Sequence, residues 1–246
     1  MTLETTWNSY SLNQTVELQE LAIALFAKTL DPKLAQPDFF QFSGIIPQDW
    51  QLQSNPVLND NLAQFNFENG VNILAQPRTI SFFEALGREK SKPLEVPSVA
   101  RRYINKLPHV DYQALSINPK TIVSFPNQKD GARKYGAEAL LSPKLARVLD
   151  RAPARASIGV VYELQRCQLQ LSINEVNVQK PDGSLVPALL FSGNFNYSIA
   201  GETANDKYTR LEQCLDNWQT DLDTFRELVQ THFLGESDSI FPPEMM

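Results

Sequence analysis

The chain has only two histidines, His109 and His232, and two cysteines, Cys167 and Cys214. A zinc or iron site built from several histidines is thereby excluded, and neither histidine lies in an HExxH arrangement. The cysteines are far apart and form no CxxC, so they read as small core residues of a cytosolic protein, not as a disulfide or redox pair. Ten glycines in 246 residues leave little material for phosphate-cradling loops. No GxGxxG follows a strand, and GxxxxGKS/T and GxSxG are missing, so dinucleotide, nucleotide and serine-hydrolase signals are all lacking. No apolar run reaches the ~18 residues that span a bilayer. The opening MTLETTWNSYSLNQTVE lacks a basic segment followed by an apolar one. These absences point to a soluble, cytoplasmic chain without membrane contact, metal or cofactor.

What is there is architecture. With 42% hydrophobic and 20% charged residues the chain can bury a core, which rules out global disorder. The clearest stretch is 158–199, where apolar residues alternate on both sides of Asp182-Gly183 in the manner of a β-hairpin. A two-residue type I′ turn there, with both residues at positive φ, would pair Val178 with Pro187 and Val176 with Leu189. The apolar positions of the first strand change from even to odd before Asn174, whereas those of the returning strand stay odd. A one-sided phase change predicts a β-bulge at Asn174-Glu175. Beyond it Ile173 pairs with Phe191, Leu171 with Gly193, Leu169 with Phe195 and Cys167 with Tyr197, every apolar side chain lying on one face. A second change of phase makes Gln165-Arg166 either another bulge or a break between strands.

A sheet with one apolar face needs a cover. Tyr208, Leu211, Leu215, Trp218, Leu222, Phe225, Val229 and His232 recur at three- and four-residue steps, the mark of an amphipathic helix. Asn205 or Thr203 can cap it, Thr203 with Asp206 resembles a capping box, and Gly235 is placed to end it. Thirty residues of helix would run ~45 Å across the hairpin.

Earlier in the chain, Leu18, Leu21, Ala22, Leu25 and Phe26 mark one helical face before Asp31-Pro32, although 21–26 also fits a buried strand. Phe39, Phe40, Phe42 and Trp50 read as core. Residues 62–75 form a second hairpin whose three-residue loop, Glu68-Asn69-Gly70, pairs Phe67 with Val71 and Phe65 with Ile73. A strand over 78–84 follows, then an exposed connection over 87–97. Ser98 caps a helix over 98–107, and 110–125 is strand interrupted at Asn118-Pro119. Helices are expected at 131–141 and 142–152, the second with Pro143 at its first position. The tetrad Leu-Ser-Ile-Asn occurs at 115–118 and at 171–174, a hint of two similar halves. Strands cluster and helices gather at their ends, which gives an α+β class: antiparallel sheets with long hairpins, short middle helices and a long C-terminal helix packed on the sheet. The chain divides at 126/127 into an N-terminal half, 1–126, and a C-terminal half, 127–246, or runs on as one domain.

Charge is unevenly spread. Residues 1–87 carry three Lys/Arg against nine Asp/Glu, residues 88–155 fourteen against six, and residues 202–246 three against ten. The basic middle supplies a candidate anion-binding set: Arg101, Arg102, Lys106, Arg133, Lys134, Lys144, Arg147 and Arg151, interleaved with Tyr103 and Tyr135. Lys144, Arg147 and Arg151 would form one helical stripe. The bland counterpart is a solvated face, or pairing with the acidic C-terminal helix. A pI near 5.1 argues against a dedicated nucleic-acid binder. Asp111 could orient His109, with Tyr112 as an acid, but residues two apart share a strand face without catalytic purpose. The sequence thus points away from an enzyme and toward a non-catalytic module that binds a protein partner or itself. Polyanion binding through 88–155 and an enzyme without a recognisable motif stand as alternatives.

Overall fold

The computed structural model describes residues 15–86, 93–125, 130–136, 140–141 and 155–234. Their centre is one antiparallel sheet of nine strands: β1 (Thr15–Ala27), β2 (Val57–Asn59), β3 (Leu62–Asn66), β4 (Val71–Gln76), β5 (Thr79–Ala85), β6 (Tyr112–Ser124), β7 (Ser157–Glu163), β8 (Gln168–Gln179) and β9 (Leu185–Ser198). Their order across the sheet is β2-β3-β4-β5-β1-β6-β9-β8-β7. The connectivity repeats. A long strand, β1, precedes a meander, β2 to β5, that folds back beside it and leads into a helix (Val96–Lys106). A second long strand, β6, precedes the meander β7 to β9 and then the C-terminal helices. The two long strands pair with each other, so one sheet crosses both halves of the chain. The repeated tetrad falls in β6 and β8, strands that this repeat does not equate.

The first strand corrects the reading of 15–27 as a helix. Leu21, Ile23 and Leu25 point to the helix-covered face, and Ala22 and Ala24 to the other; all five are buried. A strand paired on both sides, with apolar residues on both faces, shows no polar period, so those residues also satisfy helical spacing.

The hairpin register is also corrected. Every β8–β9 pair obeys one constant register from Gln168 opposite Asn196 to Gln179 opposite Leu185. The pairs Ile173–Phe191, Leu171–Gly193 and Leu169–Phe195 stand as expected, but no bulge occurs at Asn174-Glu175. The phase change comes from the turn. The amide of Gly183 donates to the carbonyl of Lys180 (2.9 Å), that of Lys180 donates to the carbonyl of Ser184 (2.8 Å), and of the two turn residues only Gly183 has positive φ, 82°. This is a three-residue loop, Pro181-Asp182-Gly183, a type I turn closed by a left-handed glycine. Proline's fixed φ suits position i+1 of such a turn. Val176, Val178, Val186 and Ala188 therefore face the side opposite Ile173 and Phe191. The loop expected at Glu68-Asn69-Gly70 has the same form, with Phe67 bonded to Val71 and Phe65 paired with Ile73. Gln165-Arg166 is a break between strands: the Leu164 amide donates to Cys167 (2.9 Å) across a two-residue turn linking β7 to β8.

β6 runs unbroken through Asn118-Pro119, against the expected interruption. Its ladder to β1 continues there, while pairing to β9 lapses between Ile117–Phe195 and Lys120–Ser192. Proline donates no hydrogen bond, so one side of a central ladder gives way. Gly193 lies at this gap. A Cβ placed on it would stand 2.9 Å from a ring carbon of Phe225 and 3.3 Å from the ring of Pro119.

Phe225 belongs to the C-terminal rod, which is not one straight helix. Ala204–Leu215 and Trp218–Glu227 are joined by a bend at Asp216-Asn217, and a π-helical turn, Leu228–Phe233, follows. The Thr203–Asp206 capping box is present, with the Asp206 amide donating to Thr203 Oγ1 at 3.1 Å. Leu211, Cys214, Leu215, Phe225 and Val229 are buried in the core shared with the sheet. The other helix starts at Val96, not Ser98, and has no side-chain cap of its own. Glu84 of β5 reaches into it instead, its Oε2 accepting from the amides of Glu95 (2.7 Å) and Val96 (3.1 Å). A carboxylate is favoured at that positive end. Phe40 packs against Phe65 and Tyr103, but Phe42, expected in the core, is exposed. A helix occupies Gly131–Tyr135. The expected helix at 142–152 and the stop at Gly235 lie outside the described residues. Among the described residues no helix is long and apolar enough to cross a membrane.

The contact of Phe225 with Gly193 yields a direct test. Gly193→Ala should destabilise the fold by about 1–3 kcal/mol in urea titrations, because the new methyl displaces a packed ring. Adding Phe225→Leu should recover part of that loss, so the two changes should be non-additive.

Candidate functional site

The basic residues singled out in the sequence do not converge. Arg101 forms an ion pair with Asp216, at the bend of the acidic rod. Arg102 points the other way, its Nε donating to the Ile45 carbonyl (2.6 Å), while its buried Nη2 has no partner among the described residues. Lys106 is exposed at the last turn of the same helix. Arg133 pairs locally with Asp130 at 3.1 Å, and Lys134 is exposed. Lys144, Arg147 and Arg151 lie outside the described residues. Asp111 does not orient His109. It accepts a hydrogen bond from Lys207 Nζ at 2.5 Å, which holds its carboxyl below the usual aspartate range. Tyr112 is buried and donates to the Leu107 carbonyl at 3.3 Å.

The concentrated polar chemistry is elsewhere, around Asp221, whose side chain is 0% exposed. Its two oxygens are both engaged: Oδ1 accepts from Arg166 Nε (2.7 Å) and Oδ2 from the Tyr197 hydroxyl (2.6 Å). Arg166 also donates to Thr224 Oγ1 (3.1 Å) and stands 5.8 Å from the centre of the Phe195 ring. Burial pushes the Asp221 carboxyl above its ordinary range despite these donors. Burial and the adjacent carboxylate push the Tyr197 hydroxyl far up, and burial raises the Cys167 thiol. The cluster clamps the Trp218–Glu227 helix to the β7–β8 turn and β9, and its hydrogen-bonding capacity is spent internally. It is built as a strut. The signal for it was a charged residue on an apolar stripe, since Asp221 falls three residues after Trp218 and four before Phe225. Nothing in the sequence marked Arg166, 55 residues away, as its partner.

The sheet face away from the rod carries small and amide side chains: Ala22 and Ala24 of β1, Ser81 of β5, Asn118 of β6, Ser172 of β8, and Ser192 and Asn194 of β9. These line a trough of about 690 Å³ that reaches Gly159 and Val161 of β7. Lys120 pairs with Glu20 there at 2.9 Å. The trough's serines have no histidine among the lining residues to activate them. Among the described residues no group of three or more His, Cys, Asp or Glu side chains could hold a metal ion.

The trough ends at β7, an edge strand among the described residues. The sheet's two edges differ: β2 is three residues long, a common way of blunting an edge. β7 is seven residues, SIGVVYE, with no proline and a single charge at its end. Among the described residues only β8 lies beside it, and Val161 and Tyr162 are 55% and 37% exposed. Unpaired backbone groups with exposed apolar side chains form a template for another strand.

Two measurements separate strut from reaction site. Arg166→Ala strands a buried carboxylate and should cost about 3–5 kcal/mol of stability. The pH dependence has a definite sign. Because the folded state holds Asp221 above its unfolded pKa, the stability linked to it is full below the ordinary aspartate range. It is lost as pH rises through the raised value. Asp221→Asn cannot ionise and keeps one acceptor oxygen for Arg166, its NH2 taking the place of the oxygen that faces Tyr197, so the wild type's stability relative to this variant should fall from acid to neutral pH in urea titrations. No protein-family model matches the chain, and no curated protein matches it either.

Proposed function

We propose that the chain is a non-catalytic self-associating module that pairs with a second copy of itself through the outer edge of β7. The observation that carries this reading is the unblunted β7 edge, which has no strand beside it among the described residues. The strand is self-complementary. In an antiparallel pair centred on Val160, Ile158 faces Tyr162 and Gly159 faces Val161, and the single charge, Glu163, faces Ser157. Branched aliphatic against aromatic is a favourable cross-strand pair, and no like charges meet. Arg155 falls diagonal to Glu163 on the same face. Such pairing is isologous and closes on itself, as a two-fold dimer must. It also prolongs the trough from one copy into the next, joining two surfaces of small side chains. The free thiols of Cys167 and Cys214 support a reducing compartment, the cytoplasm, as the place of work.

Light scattering during gel filtration should give twice the 27.8 kDa chain mass. Ser157 is exposed at its edge, so charge can be placed there without disturbing the core. Ser157→Glu sets two like-charge pairs across the axis and should weaken the dimer about 5- to 30-fold, from roughly 1–2 kcal/mol over both pairs. Ser157→Lys faces Glu163 and should strengthen it. A monomer in the wild type, or two variants that shift the equilibrium in the same direction, would reject the β7 pairing.

A further inference from the structure

A second cavity, of about 640 Å³, opens where the stretch after β1, the β4–β5 turn and the end of the Val96–Lys106 helix meet. It lies in the other half of the repeat from β7 and is independent of the proposed dimer. Its size is that of small-molecule pockets. Leu30, Phe39, Leu107 and Val110 give it an apolar lining.

The polar groups around it are few and mostly of one sign. Lys28 and Arg78 are exposed at its rim, and neither forms an ion pair among the described residues. Asp31, the one acidic lining residue, accepts from the Lys33 amide at 2.9 Å. Asp111, which also feels Lys28, is bonded to Lys207. Tyr103 lines the cavity, is 3% exposed, and its hydroxyl has no hydrogen-bond partner among the described residues. The hydroxyl keeps access to solvent and can donate to water or to a ligand atom in the cavity.

Arg78 is held there by unusual backbone. It is the one non-glycine residue with positive φ among those described, 67°, following Pro77 in the two-residue turn between Gln76 and Thr79. Glycine or asparagine suits that position of a type II turn better than arginine does. The turn is tied down by Ala27 N–H to the Arg78 carbonyl (2.9 Å) and by Arg78 N–H to Leu30 (3.1 Å). The turn thus sets Arg78, a basic residue, on the rim of the pocket.

We propose that this cavity binds a small apolar carboxylic acid. Its hydrocarbon body sits among Leu30, Phe39, Leu107 and Val110, its carboxylate between Lys28 and Arg78, and any inner polar atom meets the Tyr103 hydroxyl. Arginine and lysine together give a forked donor and a point charge to one anionic head.

The test uses the full chain and anilinonaphthalene sulfonate as a fluorescent probe, displaced in turn by decanoate, decanol and decylamine. Decanoate should displace it at concentrations about tenfold below those needed for the neutral and cationic analogues, as a charge-assisted contact requires. Arg78→Gly should weaken decanoate about tenfold and leave decanol unchanged. Because glycine relieves the backbone, the same variant should also melt about 2–4 °C higher, which shows that the loss is not unfolding. Equal displacement by the three amphiphiles, or an unchanged decanoate affinity in Arg78→Gly, would overturn the assignment. Neither outcome depends on whether the chain forms dimers.

Discussion

The structure depends on the pairing of β1 with β6. These two thirteen-residue strands lie side by side at the centre of the sheet, and each repeat builds outward from its own long strand. Almost every residue from Thr15 to Ala27 has a partner in β6, with register shifts only near the ends. Across this seam Ile23 meets Ile117 and Leu25 meets Leu115 on the helix-covered face, all fully buried. On the other face Ala22 meets Asn118 and Ala24 meets Ser116. The seam decides what each face can become: bulky residues on one side demand helices, and small ones on the other leave a trough.

The covering helices are set by contacts specific to each half. The first is fixed end-on by a buried carboxylate from β5, Glu84, in place of a capping residue of its own. The second is fixed side-on, where Phe225 fills the space above Gly193 and Asp221 is clamped by Arg166 and Tyr197. Both devices bury charge or close contact that only one placement of the helix satisfies. A buried, fully bonded carboxylate adds little net stability, since desolvation offsets attraction, but it strongly penalises any arrangement that leaves it unpaired. The buried Glu84 and Asp221 carboxylates are thus accounted for by assembly.

Much of this was legible from side-chain period, and the failures share one cause. The pairs Leu171–Gly193 and Leu169–Phe195 followed from parity alone, as did the capping box at Thr203 and the loop at Gly70. Period failed where a neighbour distant in sequence decided the outcome. β1 looked helical because its second apolar face is created by partners about sixty and a hundred residues away. The bulge at Asn174 was inferred because the turn was assumed to hold two residues, when Pro181 favours three. The basic segment looked like a surface because Asp216, 115 positions from Arg101, could not be placed beside it. The Arg166–Asp221–Tyr197 cluster shows the same limit, since only Asp221 broke a pattern.

What the chain leaves unsatisfied is more informative than what it satisfies. A sequence tuned only for folding would put glycine at the left-handed position of the β4–β5 turn and a charge or proline along β7. The chain departs from that pattern at Arg78 and across β7, and Arg102 keeps a buried Nη2 without a partner among the described residues, while its buried Asp221 and Glu84 carboxylates are held by several donors. Arg78 lies at the rim of the apolar cavity, and β7 is a whole strand edge. Both features suit the proposed binding surfaces, because a group kept ready for another molecule cannot also be satisfied within the chain.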